Sequence, residues 1–305
     1  MADQLFQTKS TLSFMQQAIL RLCPKPGIYP IASIQGLSLN HSQCSGSMHP
    51  HFFEPLLIMV VQGCKAIAVG LDTFKYGPGF CFLCGIDMPV SSCVMEASSK
   101  EPYLSLTLKL DLSLLAEFAP KTTPNPYTPT NYLAATNQKI DPPLLFAFAR
   151  LLELVEDPRP LLDEILLREI HCRLLYSPFG GSLRSIVLQG TQGNKIRQAI
   201  AWLKENYAQP LSVEELSKKV NMAPSTFHKY FKEITSLSPL QYQKCLRLYK
   251  AQSILLTEDY DVTGAALAVG YESSTQFIRE YKRLFGESPK RNVKNLKTSL
   301  DLVSN

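Results

Sequence analysis

The stretch Thr263-Gly264-Ala265-Ala266-Leu267-Ala268-Val269-Gly270-Tyr271-Glu272-Ser273-Ser274-Thr275-Gln276-Phe277-Ile278-Arg279-Glu280-Tyr281-Lys282-Arg283-Leu284-Phe285 decides how the C-terminal part of the chain folds. Residues 263–268 read as a short helix, with Ala265 and Ala266 small enough for close packing. Gly270 permits a tight turn, and Ser273 is a capping residue for a second helix. Phe277, Tyr281 and Phe285 recur every four residues and face inward. Ser274, Thr275, Gln276, Arg279 and Lys282 are left on the other side. Gln276 has two readings: it points outward, or it bonds back to the Ser273 backbone as half of a capping box. A short helix, a tight turn and a second helix with a polar, basic outer face make a helix-turn-helix.

The same grammar occurs earlier. Ser212 with Glu215 forms a capping-box pattern, and that helix ends near Val220-Asn221, where Asn tolerates a left-handed turn. The next helix begins at Pro224, an allowed first-turn position. Phe227, Phe231 and Ile234 face inward, leaving Ser225, Thr226, His228, Lys229 and Lys232 outside. The two units fall at about 212–234 and 261–284. Between them runs an amphipathic helix over 239–256, about 27 Å long at 1.5 Å per residue. That is close to one turn of B-DNA, roughly 34 Å. Two recognition helices on one chain would then enter successive major grooves. Lys hydrogen-bonds guanine acceptors, while Ser and Thr serve base or phosphate.

Charge follows the same division. The chain has 305 residues and a net charge of +5. Residues 1–190 hold 14 Lys and Arg against 15 Asp and Glu, and residues 191–305 hold 17 against 11. A neutral part joined to a basic part points to a polyanionic partner for the second, the alternative being a merely solvated basic face. Two domains are expected, 1–190 and 191–305, the second with its core at 194–293. The longest apolar run, residues 56–61, is far short of the roughly 18 residues a membrane span needs. The N-terminus lacks the order of a secretory signal. A cytoplasmic protein without membrane contact is expected, its eight cysteines mostly thiols.

Residues 1–23 read as one helix. Strands follow at 29–37, 56–62, 64–69, 79–83 and 103–110, separated by Gly63, Gly70-Leu71-Asp72 and Gly77-Pro78-Gly79. This spacing predicts a small β-sandwich or barrel. Asp141-Pro142-Pro143 then opens a helix with Leu144, Leu145, Phe148, Leu151, Leu152 and Val155 on one face. Asp157-Pro158-Arg159-Pro160 breaks it, and Leu162, Ile165, Leu166, Ile170 and Leu174 mark a second. Such a helical hairpin buries its stripes on its own barrel or in a homodimer seam. Phe179-Gly180-Gly181-Ser182 and residues 189–193 are the linker candidates. The predicted fold class is α+β, a barrel with a helical hairpin followed by an all-α domain with two helix-turn-helix motifs.

The C-terminal pattern resembles the AraC/XylS family of bacterial transcription regulators. The resemblance rests on residues 211–216, Phe227-His228-Lys229-Tyr230-Phe231-Lys232, Ser238-Pro239-Leu240-Gln241-Tyr242, Arg247-Leu248, Val269-Gly270-Tyr271-Glu272-Ser273, residues 276–286 and Ser288-Pro289. Residues 167–175, Glu54-Pro55, Gln62-Gly63, Tyr76 and Pro78-Gly79 are similar to the N-terminal region of one subgroup. The resemblance implies a cupin-like N-terminal domain for effector binding and dimerisation. It implies Ser225, Thr226, His228 and Lys229, with Ser274, Thr275, Gln276 and Arg279, as base-facing positions. Lys232 and Lys282 are better phosphate candidates. Promoter DNA, RNA polymerase, a small-molecule effector and a second copy are the implied partners, with no cofactor. Three departures stand out. Ala223 replaces a usual capping Ser, Ser236 replaces a usual Gly, and Asn292-Val293 replaces an aromatic-Arg ending.

Other constellations argue for less. Cys81-Phe82-Leu83-Cys84 has no second C-x-x-C pair to make four zinc ligands, and on a strand residues three apart point to opposite faces. Buried thiols are expected there and at Cys64 and Cys93, a redox or electrophile sensor being the alternative. His49-Pro50-His51 with Glu54 is similar to part of a cupin metal motif, but its spacing is short and no third ligand follows Pro78-Gly79, so no metal is expected. The rival function is a cupin-like metal-dependent enzyme with a helical accessory domain. No nucleophile elbow, P-loop or dinucleotide fingerprint appears, and no enzymatic activity is expected.

Overall fold

A computed structural model of the chain describes residues 2–123, 134–159, 161–258 and 260–304, with side chains described between 7 and 298. The chain forms two compact units, residues 1–48 with 53–194, and residues 195–305 with 49–52. Among the described residues, no helix is long and apolar enough to cross a membrane.

The first unit opens with α1 (Ala2–Leu22). The strands that follow in the chain are β1 (Gly27–Pro30), β2 (Leu37–Ser42), β3 (His49–Phe53, of which residues 49–52 group with the second unit), β4 (Leu56–Gln62), β5 (Cys64–Val69), β6 (Asp72–Tyr76), β7 (Phe80–Cys84), β8 (Met88–Glu96) and β9 (Tyr103–Lys109). Then come α2 (Leu112–Phe118), β10 (Ala135–Lys139), α3 (Pro142–Glu156), α4 (Leu162–Tyr176) and α5 (Gly180–Val187). One sheet has the order β1-β2-β9-β4-β7-β10 and the other β3-β8-β5-β6. The neighbouring strands of the larger sheet are antiparallel, as are β5 with β6 and β5 with β8. Leu57, Met59, Leu104, Leu106, Leu37 and Leu39 are all buried on one face of the larger sheet. His41, on that same face, bonds the Cys23 carbonyl just after α1 at 2.7 Å.

The expected strand at 29–37 is in fact two strands and a turn. Ile34 donates to the Ile31 carbonyl and Leu37 to that of Ile34, and buried Ile34 makes the turn look apolar. Gly180 is not a linker. It begins α5, where an added Cβ would collide with the Leu175 carbonyl. Arg184 Nη1 donates to that same carbonyl at 2.7 Å, and Nη2 donates to Thr122 Oγ1 at 2.7 Å. The α4 stripe is only half buried: Leu166, Ile170 and Leu174 are covered, but Leu162 and Ile165 are 48% and 59% exposed. His171 on α4 accepts from the Asp111 backbone N–H at 2.9 Å and donates from Nδ1 to the Leu167 carbonyl at 2.7 Å. That pattern needs a neutral ring, and burial lowers its pKa accordingly. The ring ties α4 to the start of α2, whose first turn Asp111 caps.

The second unit is helical. It contains α6 (Gln192–Glu205, its first residues in the first unit), α7 (Val213–Lys219), α8 (Pro224–Thr235), α9 (Pro239–Thr257), α10 (Val262–Ala268), α11 (Ser274–Phe285) and α12 (Pro289–Ser304). The amphipathic α9 is the shared spine. Tyr242 meets Phe231 of α8 edge-on at 5.5 Å, and Tyr249 meets Phe285 of α11 at 5.3 Å. Phe277, Tyr281, Ala251 and Val269 form one buried cluster around it.

Candidate nucleic-acid interface

The two helix-turn-helix units are the same object built twice. Helices α8 and α11 each have 12 residues and start 50 positions apart. Phe227 therefore corresponds to Phe277, Lys229 to Arg279 and Lys232 to Lys282. Left-handed residues make both turns possible, Asn221 at φ 53° and Gly270 at φ 85°. The turns differ by one residue: 220–223 separates α7 from α8, and 269–273 separates α10 from α11.

All ten residues singled out in the sequence lie on these two helices. Ser225, His228, Lys229 and Lys232 of α8 are exposed, as are Thr275, Gln276, Arg279 and Lys282 of α11; Thr226 and Ser274 are partly covered. Lys229 lies 3.9 Å from Glu233, a weak exposed pair. Gln276 is more constrained. Its backbone N–H donates to Ser273 Oγ at 3.3 Å, while its side-chain Nε2 donates to Glu280 Oε1 at 3.2 Å. The side chain thus runs along α11 and does not fold back onto Ser273.

Two residues escaped the sequence reading. Ile278 is 39% exposed, one turn beyond Thr275 and beside Arg279. The 50-residue offset makes it the counterpart of His228, and that correspondence was the available signal. Glu280 is the other. It is buried, yet its carboxylate accepts from Lys244 Nζ at 3.0 Å, Tyr271 Oη at 2.8 Å and Gln276. Burial alone would raise its pKa; these donors outweigh burial and hold it below the ordinary value. The pair of buried Glu280 with half-exposed Lys244 ties α11 to α9, and its partner on a distant helix left no local signal in the sequence.

The sequence departures have structural consequences in the first unit. Ala223 stands at the N-cap of α8 with no side-chain bond, where Ser273 caps α11. Ser236 is forced to φ 61° at the C-cap, where α11 has Gly286 at φ 77°. Ala223→Ser should stabilise this unit by about 0.5–2 kcal/mol, and Ser236→Gly by up to about 1 kcal/mol. Urea unfolding followed through Trp202, the one tryptophan in the chain, reads both. Unmoved midpoints in both variants would contradict the cap assignments. Asn292, by contrast, costs no contact. Its Oδ1 accepts from Gln252 Nε2 at 2.7 Å and Tyr281 Oη at 2.9 Å, joining α12 to α9 and α11.

The model of the AraC-type transcriptional regulator N-terminus matches residues 33–182, and a helix-turn-helix domain model matches residues 216–295. This chain belongs to the AraC/XylS family of transcription regulators. Among AraC/XylS relatives, the chain is 33% identical over 109 residues to the HTH-type transcriptional activator RhaS of Salmonella schwarzengrund (strain CVM19633), a match covering 35% of this chain and 39% of RhaS. The chain therefore spans well under half the length of the curated relatives it matches. ToxT from Vibrio cholerae O395, bound to (E)-4-(8-methylnaphthalen-1-yl)but-3-enoic acid, aligns with a TM-score of 0.58 at 13% identity, covering 85% of this chain and 98% of ToxT. ToxT from strain SCE256, bound to an unsaturated fatty acid, aligns with a TM-score of 0.57 at 10% identity. At these identities the likeness is one of fold. Among the described residues, no group of three or more His, Cys, Asp and Glu is placed to hold a metal. Cys81 and Cys84 are buried on β7, and burial pushes both thiols far up, the behaviour of core cysteines.

Proposed function

We propose that this chain is a promoter-binding transcription regulator, not an enzyme, that reads two successive major-groove segments through α8 and α11. The observation that carries the reading is the repeated unit: two 12-residue helices, in register at an offset of 50, each presenting an exposed polar and cationic face. Their spine α9 has 19 residues, about 28 Å at 1.5 Å per residue, against roughly 34 Å per turn of B-DNA. In this reading Ser225, Thr226, His228, Lys229, Ser274, Thr275, Gln276 and Arg279 face base edges, with Lys232 and Lys282 on phosphates. Ile278 offers an apolar surface to a thymine methyl. Deoxyuridine in place of single thymines tests that contact, since it deletes only the methyl.

Residues 1–190 form the sensory part and 191–305 the DNA-binding part. A small molecule held in the first unit would shift the population of DNA-competent states, which requires different affinities for the two states. The exposed Leu162 and Ile165 of α4 are the surface a second copy would cover, and sedimentation equilibrium of Ile165→Glu against the parent tests that. RNA polymerase is the expected partner of a promoter-bound regulator. Fluorescence anisotropy with the promoter beside its own gene tests the whole reading. Binding at least a hundredfold tighter than to a scrambled duplex is expected; equal affinity for the two would refute it.

A further inference from the structure

Glu280 is a carboxylate that the second unit keeps both covered and charged. It is 7% exposed. Lys244 of α9 donates to its Oε1 at 3.0 Å, and Tyr271, in the turn before α11, donates to its Oε2 at 2.8 Å. These donors hold it ionised, and an ionised carboxylate only accepts hydrogen bonds. Its third partner is the side chain of Gln276, one helical turn earlier on the same face, with Nε2 at 3.2 Å from Oε1. That contact decides which way the Gln276 amide points. The NH2 end must turn to Glu280, because the carbonyl end would set acceptor against acceptor. The carboxylate is itself pinned from α9 and from the turn, so the amide is anchored to more than its own helix. Gln276 is exposed and lies in the first turn of α11, the part of a recognition helix that meets base edges. At the 50-residue offset Gln276 and Glu280 correspond to Thr226 and Tyr230 of α8, so the arrangement belongs to the second unit alone.

A free glutamine amide is able to read two purines in the major groove. It meets adenine by donating to N7 and accepting from the N6 amine, and it meets guanine by donating both hydrogens to N7 and O6. The bond to Glu280 takes one of those two hydrogens. What remains is one N–H and the carbonyl oxygen, the pair that adenine matches. Guanine would meet a single donor and a carbonyl oxygen set against its O6, with the negative charge of Glu280 behind them. We propose that Glu280 is a positioning residue for base recognition: by holding the Gln276 amide it makes α11 select adenine over guanine at one base pair of the operator. Glu280 acts through Gln276 and needs no contact with DNA of its own. An amide already held also loses less rotamer freedom when it docks. The inference rests on the reading of α11 as a base-contacting helix and adds the base that its first turn selects.

The test uses the full chain and the promoter duplex beside its own gene, with every base pair changed singly and binding followed by fluorescence anisotropy. In the parent, one A·T pair should be preferred over G·C by about tenfold, and Gln276→Ala should erase that preference there alone. Glu280→Gln should cut it to about twofold and leave the preferences read by α8 in place. In the Gln276→Ala background, Glu280→Gln should change no preference at that pair, which a double-mutant cycle reads. A merely structural Glu280 would weaken all duplexes alike and would do so in both backgrounds; that result overturns the proposal, as does a full adenine preference in folded Glu280→Gln. If Glu280→Gln does not fold, the parent still carries the test. The 15N side-chain resonance of Gln276, identified by its loss in Gln276→Ala, should show an amide that is rigid without DNA, and a freely reorienting amide overturns the proposal. The two readings fail differently. If no base pair depends on Gln276 while Lys229→Ala still alters sequence preference, the proposal falls and promoter reading stands. Equal affinity of the parent for promoter and scrambled duplexes removes both.

Discussion

Replacing Lys229 and Arg279 together with alanine should reduce this regulator to sequence-independent binding. Both side chains are exposed at equivalent positions of α8 and α11, so the fold has little stake in either. The Glu233 partner of Lys229, at 3.9 Å, is too weak to hold the ammonium back from DNA. A good base contact contributes about 1–3 kcal/mol of discrimination. Losing one in each groove should cost about 2–6 kcal/mol, or roughly 30-fold to 10⁴-fold in promoter affinity. Affinity for a scrambled duplex should fall far less. Lys232→Ala and Lys282→Ala should behave differently, weakening all sequences alike and each reducing the salt slope by about 0.9. Anisotropy titrations at several salt concentrations separate the two patterns. Full promoter preference in the Lys229 and Arg279 double variant would show that α8 and α11 do not read the bases.

The second large effect is expected where nothing touches DNA. Gly270 has φ 85°, and an added Cβ would collide with the Ala208 carbonyl. That carbonyl cannot simply retreat. Arg247 of α9 donates to Tyr207 O at 2.7 Å, Ala208 O at 3.2 Å, Gln209 O at 3.0 Å and Gly270 O at 2.9 Å. Gln243 donates to Tyr207 O at 3.1 Å and Gln209 O at 2.7 Å. Gly270→Ala must therefore bear a left-handed alanine, about 1–2 kcal/mol, and push apart a fully bonded loop, about 1–3 kcal/mol more. The expected loss is about 2–5 kcal/mol, read as a fall in the urea midpoint reported by Trp202. Asn221→Gly is the matched control in the other turn, where φ is 53°, and it should be neutral or slightly stabilising. A Gly270→Ala midpoint unchanged from the parent would refute the close approach.

The second unit was legible in the sequence because its signals are local. Inward aromatics at Phe227, Phe231, Phe277 and Tyr281, Ser212 and Ser273 as caps, and Gly270 as a turn all act within a few residues of themselves. The first unit was less legible because its strands are defined by distant partners. Strand β3 and strand β6 carry few buried residues, so neither His49–Phe53 nor Asp72–Tyr76 stands out as an apolar run. Strand β8 alternates more clearly but includes Pro89, Ser91 and Ser92. Gly180-Gly181 reads like a hinge, since linkers and tight packing select the same residue for opposite reasons. Gln276 was open in the sequence because its true partner, Glu280, is itself recruited by Lys244 from another helix.

If α8 and α11 read DNA as proposed, Arg247 also constrains which DNA they can reach. One guanidinium fastens the segment after α6 to the turn before α11, and the helix that carries it grips α8 through the ring of Tyr242. Both recognition-helix candidates are thus tied to one frame, and in the proposed reading that frame fixes their separation along a duplex. In the proposed reading, their target is one uninterrupted word of fixed length. An operator split by half a helical repeat would present its second half on the wrong side of the double helix, where no flexing of this frame could follow it.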